Sequence, residues 1–217
     1  MIKKHLRICI IAFFALCGCG VGSQSESPAV SVADTSPAAW SFQFSPHAPQ
    51  LVPFGSGFQF SFPDQDGVHY LVTNQRPAVP LTLLTTATIE TTGAPVFDYH
   101  TNPNNTCDSP ATFRLYFQRR GDILSGQGQY EFYRWWNVRA GFAPLAQGTY
   151  TLLGDLTNPA DWISIYGKKG TETPEAFRDA VNDIGAMGVT FGGGCFFGHG
   201  VFVTGGSATF KLKNFIS

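Results

Sequence analysis

The chain has 217 residues, of which only 13% are charged, with 20 Phe, 24 Gly and 14 Pro and a formal net charge of −1. No run of Lys or Arg exceeds a pair, which excludes the basic stripe that a nucleic-acid surface needs. A Phe- and Gly-rich composition poor in helix formers points instead to an all-β globule, long enough to bury a substantial core.

Residues 1–18 begin with Lys3, Lys4 and Arg7 and continue in an apolar run over 8–16. That run is too short to span a bilayer and has the layout of a secretory signal. It ends in Leu16-Cys17-Gly18-Cys19. This resembles the bacterial lipobox, in which a Leu and two small residues precede the Cys that is cleaved before and lipidated. The resemblance implies that Cys19 becomes the diacylated first residue of the mature protein, with the membrane as a partner through the lipid. Gly20, where that family's sorting rule would read Asp, implies the outer membrane of a Gram-negative bacterium. The alternative is ordinary cleavage and a secreted, unanchored protein. Loss of the leader leaves eleven basic residues against fifteen acids. Residues 19–39 are Ser-, Ala-, Pro- and Gly-rich without an aromatic, and read as a lipidated Cys and a flexible tether reaching ~25 Å.

From residue 40 to 217 the chain reads as one domain of short strands between turns. The expected strands are 40–44, 57–62, 68–73, 81–91, 112–120, 129–138, 149–156, 162–167, 187–191, 200–204 and 208–215. Such spacing predicts a two-sheet antiparallel sandwich. One helix interrupts it, with Thr173 as N-cap, Pro174 in the first turn, Phe177, Ala180, Val181 and Ile184 on one face, and Gly185 as its stop. The order of elements, with Trp162-Ile-Ser-Ile-Tyr-Gly-Lys, then the helix, then Ile184-Gly-Ala-Met-Gly-Val-Thr-Phe-Gly-Gly-Gly, then Ala208-Thr-Phe-Lys-Leu-Lys-Asn-Phe, resembles the galactose-binding-like jelly roll of many carbohydrate-binding modules. The resemblance implies a jelly-roll sandwich and sugar binding, by residues that vary within that family, and often a structural calcium.

The segment 111–137 reads as the central hairpin. Alternation places Phe113, Leu115 and Phe117 on one face of the first arm and Arg114, Tyr116, Gln118 and Arg120 on the other. In the second arm either Trp135 joins the outward face with Tyr133 and Glu131, or Trp136 joins it with Arg134. If Ile163 and Ile165 face the core, Trp162 and Tyr166 face outward. Trp and Tyr platforms beside Arg and Gln suit a sugar, whose C–H face stacks on a ring while its hydroxyls seek planar polar partners. The candidate ligand residues are therefore Arg114, Tyr116, Gln118, Arg134, Trp135, Trp136, Trp162 and Tyr166. Two readings compete: loops 93–110 and 137–148 cover this face as a second core layer, or Arg134 is a cation–π strut.

Beyond the anchor, the mature domain holds two cysteines, Cys107 and Cys195. In an exported chain such a pair reads as a disulfide. The alternatives are unpaired thiols, a nucleophilic Cys195 with His199, or a metal held by Cys195, His199, His100 and Cys107. Asp64 and Asp66 on a tight Gly-containing loop are weak calcium candidates that lack the further ligands of a calcium loop. No other cofactor is expected. Glu90, Asp98, Asp122, Glu131, Asp155 and Asp161 are scattered acids that spacing does not pair, and no nucleophile elbow occurs. The expectation is a non-catalytic, membrane-tethered module binding glycan or another extracellular polymer. The alternatives are a structural or assembly lipoprotein with a protein partner, and a hydrolase using Asp/Glu or Cys195.

Overall fold

The computed structural model describes residues 32–77, 81–99, 109–194 and 197–217. In chain order the strands are β1 (Ser41–Gln43), β2 (Val52–Phe54), β3 (Gly57–Ser61), β4 (Tyr70–Thr73), β5 (Thr82–Tyr99) and β6 (Ala111–Arg119). They continue with β7 (Arg134–Asn137), β8 (Phe142–Pro144), β9 (Gly148–Asp155) and β10 (Trp162–Ser164). Helix α1 (Pro174–Asn182), β11 (Ile184–Gly193) and β12 (Val201–Ile216) follow. Seven strands form one sheet in the order β1-β4-β11-β6-β7-β10, with β8 also on β6. Five form the other, β2-β3-β12-β5-β9. Together they make the two-sheet antiparallel sandwich that the strand spacing predicts, with its helix near the C-terminus.

The alternation of β6 sets the sandwich. Phe113, Leu115 and Phe117 are fully buried and face the other sheet, where Phe58 and Phe60 of β3, Leu83 and Ile89 of β5 and Phe210 of β12 meet them. Phe210 meets Phe113 and Phe191 edge-on, at ring-centroid distances of 5.5 and 5.2 Å. Each buried phenyl contributes about 1.5–3 kcal/mol by leaving water, and well-placed ring pairs add about 0.5–1.5 kcal/mol.

Several elements differ from expectation, each for a non-local reason. The segment 129–138 is not one strand: Gly128–Phe132 is a 3-10 turn, and only Arg134–Asn137 pairs with β6. Leu124, Gly126 and Gly128 all have positive φ, so the chain turns before it can form a ladder. The segments 200–204 and 208–215 are a single strand, β12, which absorbs Gly205 and Gly206 as a register shift. Its partner β5 runs on to Tyr99 because β12 offers edge over that whole length. Strands β2 and β8 fall where loops are expected. Thr173 and Pro174 start the helix, and Phe177, Ala180 and Val181 are buried as expected. Its C-cap is Asp183 rather than Gly185, because the Asp183 carbonyl accepts from Arg120 N–H at 2.8 Å and Ile184 enters the sheet opposite Arg119.

The end of the segment read as a tether is docked. Ala33 is buried, its N–H donates to Phe215 O at 2.9 Å, and Val32 bridges Ile216. The leader, Cys19, His100, Cys107 and Cys195 lie outside the described residues.

Candidate functional site

Cross-strand pairing fixes which residues share a face. Tyr116 lies opposite Trp136 and Gln118 opposite Arg134, so Arg114, Tyr116, Gln118, Arg134 and Trp136 all sit on the outer face of the seven-stranded sheet. Of the two phases open for β7, the one with Trp136 and Arg134 outward is realised.

Two expected ligand residues face the other way. Trp135 packs edge-on against Phe177 at 5.0 Å and is fully buried. Trp162 is also fully buried, 5.0 Å from Phe117. Its inward turn has two causes. β10 pairs Trp162 with Asn137 and Ile163 with Trp136, which sends the isoleucine outward. Gly154 on the facing sheet leaves the volume that the indole fills, since a Cβ there would stand 2.8 Å from it. Neither tryptophan can meet a ligand. Tyr166, in the turn after β10, is 58% exposed.

The outer face is not an open platform. Arg114, Tyr116 and Gln118 are all buried. Ile163, Ile165 and Phe197 pack on a second apolar cluster of Tyr70, Val72, Tyr116, Trp136 and Ala186. The cover comes mainly from the turn after β10 and from the residues that precede β12, with β8 adding Phe142 from the 137–148 segment. Arg114 is the cation–π strut, not Arg134. Its guanidinium carbon lies 3.8 Å from the Phe197 centroid and 4.7 Å from that of Phe142, and it donates to Asn137 O at 3.0 Å. Burial lowers its pKa to about 10, so it stays cationic at neutral pH.

Arg134 has a different partner. Its Nε stands 3.1 Å from Asp122 Oδ2, with both side chains almost wholly buried. Loop residues hold that carboxylate: Leu124 N–H donates to Oδ1 at 2.8 Å. Burial raises the Asp122 pKa, against the Leu124 N–H and the Arg134 charge. Burial also raises the Tyr70 pKa, against Arg134, and pushes that of Tyr116 well above its ordinary value. The Tyr116 hydroxyl donates to Gln118 Oε1 at 3.1 Å. Gly126 closes the loop at φ +69°, where a Cβ would crowd Ile165 at 2.7 Å and Arg134 at 3.1 Å.

Beside this network lies a cavity of about 370 Å³, lined by Tyr70, Arg134, Trp136, Tyr166, Phe197 and His199 among others. Its polar groups are incompletely used. Trp40 donates its indole N–H to Asp34 O at 2.9 Å, Trp135 to Phe132 O at 2.9 Å and Trp162 to Asp155 O at 2.8 Å. Trp136 Nε1, equally buried, has no acceptor among the described residues, and neither has Arg134 Nη2. A second cavity of about 330 Å³ lies on the other side of the Asp122–Arg134 pair, lined by Arg76, Arg119, Arg120, Gln118, Asn74 and Asp122 among others.

Of the other candidates, Asp66 pairs with His47 at 2.6 Å. No group of three or more metal-capable side chains forms among the described residues. Nothing in the sequence pattern singles out Tyr70, and Asp122 is there one of several scattered acids. The available signal was Arg134 itself, a lone charge in an aromatic run, which calls for a buried counter-ion. No protein-family model matches this chain, and no curated protein matches it.

Proposed function

We propose that this protein is a non-catalytic binding module that takes a glycan, or a hydroxyl-rich segment of another extracellular polymer, into the cavity beside Arg134 and Trp136. The observation that carries the reading is the Trp136 indole N–H, buried without an acceptor among the described residues where the other three tryptophans each have one. A buried donor left unpaired costs about 1–3 kcal/mol, which a ligand oxygen recovers. The rings of Tyr70, Tyr166 and Phe197 give the same cavity apolar walls for the C–H side of a sugar. The resemblance of the strand–helix–strand order to galactose-binding-like jelly rolls supports the same reading. The lipobox-like Leu16–Cys19 supports export and a lipid anchor at Cys19, in the outer membrane by the Gly20 rule. Among the described residues no helix is long and apolar enough to cross a membrane.

A glycan array followed by calorimetry on the best ligand tests the reading. Trp136→Phe keeps the ring and removes the donor, so affinity should fall about three- to tenfold, the worth of one hydrogen bond. Wild-type protein that binds no glycan, but crosslinks repeatedly to one membrane protein, would replace this reading with an assembly role.

A further inference from the structure

We infer that the ligand is an acidic glycan, a chain of carboxylate-bearing sugars laid across the outer face of the seven-stranded sheet; the inference rests on the binding reading above. The first reason is the kind of polar group on offer. A neutral sugar presents hydroxyls that both donate and accept, and it is best met by acceptors as well as donors. Among the described residues lining the Trp136 cavity there is no Asp, Glu, Asn or Gln. Of the buried side-chain atoms without a hydrogen-bond partner on its lining residues, Arg134 Nε and Nη2 and Trp136 Nε1 only donate, and Ser164 Oγ alone can also accept. An ionised carboxylate only accepts, and a guanidinium is its planar complement.

The second reason is charge. The described linings of the two cavities contain four arginines (Arg76, Arg119, Arg120, Arg134) and one acid, Asp122, an excess of three positive charges in a chain whose total is −1. Asp183, from outside the linings, pairs with Arg120 at 3.0 Å and reduces that excess to two. Arg119 lies over the Tyr133 ring at 5.0 Å, and Arg76 is exposed. Both cavities belong to one face, because Gln118 of the second pairs across the ladder with Arg134 of the first. A single carboxylate would use only the Trp136 cavity. A polymer with repeated carboxylates uses both, and the local positive field draws it in despite the acidic remainder of the protein.

The test is calorimetric titration of the full chain in detergent with four polymers: polygalacturonate, its methyl ester, dextran sulfate and dextran. Polygalacturonate should bind at least about tenfold tighter than the uncharged methyl ester, and should weaken as salt rises. The Arg76→Gln/Arg119→Gln variant should lose about tenfold for polygalacturonate while keeping the wild-type affinity for monomeric galacturonate, which separates the second cavity from the first. Equal affinity for acid and ester overturns the inference and leaves the binding reading standing. Dextran sulfate binding as tightly as polygalacturonate overturns the carboxylate assignment in favour of charge alone. No binding to any of the four, nor to any glycan on the array, removes the binding reading itself.

Discussion

Trp135 and Trp136 are neighbours on one short strand, yet they sit in opposite chemistries. Trp135 points between the sheets, fills a space against Phe177 and Phe132, and donates its N–H to a backbone carbonyl. Trp136 points outward, under Phe197 and beside Tyr116, with no acceptor for its N–H among the described residues. The same contrast runs along β6, where phenyl and leucyl groups face inward and arginine, tyrosine and glutamine face outward. Both faces bury polar atoms without partners, Asn137 Nδ2 and Ser164 Oγ on the inner one and Arg134 Nη2 and Trp136 Nε1 on the outer. Burial alone therefore does not distinguish a core from a site; a cavity beside the unpartnered groups, as at Arg134 and Trp136, does.

Substitutions on the two faces should consequently fail in different ways. The largest effect belongs to the inner face. Phe117→Ala should cost about 3–5 kcal/mol in urea unfolding, because Trp162, Phe177 and the facing sheet cannot collapse into the void. A loss under 1 kcal/mol would mean that this face is not the organising core. Next is the ion pair of the outer face. Asp122→Ala leaves Arg134 buried and uncompensated and should cost about 3 kcal/mol.

The sign of the Asp122 pH effect follows from its raised pKa. An acid that holds its proton more tightly when folded contributes most stability below its unfolded value of 3.8, and loses that contribution as pH rises through the folded value. The stability of the wild type relative to Asp122→Asn should therefore decline as pH rises above 3.8 and level off once the folded carboxyl has ionised. A rise with pH would contradict the burial assigned to this carboxyl. The smallest effect is the most discriminating. Trp135→Phe, which strands the Phe132 carbonyl, should cost about 1–3 kcal/mol. Trp136→Phe removes a donor that has no acceptor among the described residues, and should cost less than Trp135→Phe.

Much of this architecture is legible in the residues alone. The strict alternation from Phe113 to Phe117 names the inner face of β6, and Thr173-Pro174 with Phe177, Ala180 and Val181 names the helix and its buried side. What is not legible is set by distant partners. β10 is three residues long, too short for its own pattern to fix a phase. Its register on β7 and the room above Gly154 turn Trp162 inward and Ile163 outward. The Tyr130–Phe132 stretch has strand composition, but the positive-φ turn ahead of it, which buries Asp122 beside Arg134, leaves it without a ladder partner. The pocket is the least visible feature, because Tyr70, Arg134, Tyr166 and Phe197 come from four separate parts of the chain. For the same reason the aromatic residues that sequence selects for ligand contact divide into Trp136 and Tyr166, which line the cavity, Tyr116, buried in the outer cluster beside it, and Trp135 and Trp162, which serve the core.

The indole N–H resonances of the four tryptophans offer the most direct test. In a nitrogen–proton correlation spectrum recorded while an oligogalacturonate is added, the account predicts that the Trp136 signal moves with saturation, while those of Trp40, Trp135 and Trp162 keep the positions set by their backbone acceptors. A ligand that binds and shifts any of those three while Trp136 stays still would contradict it.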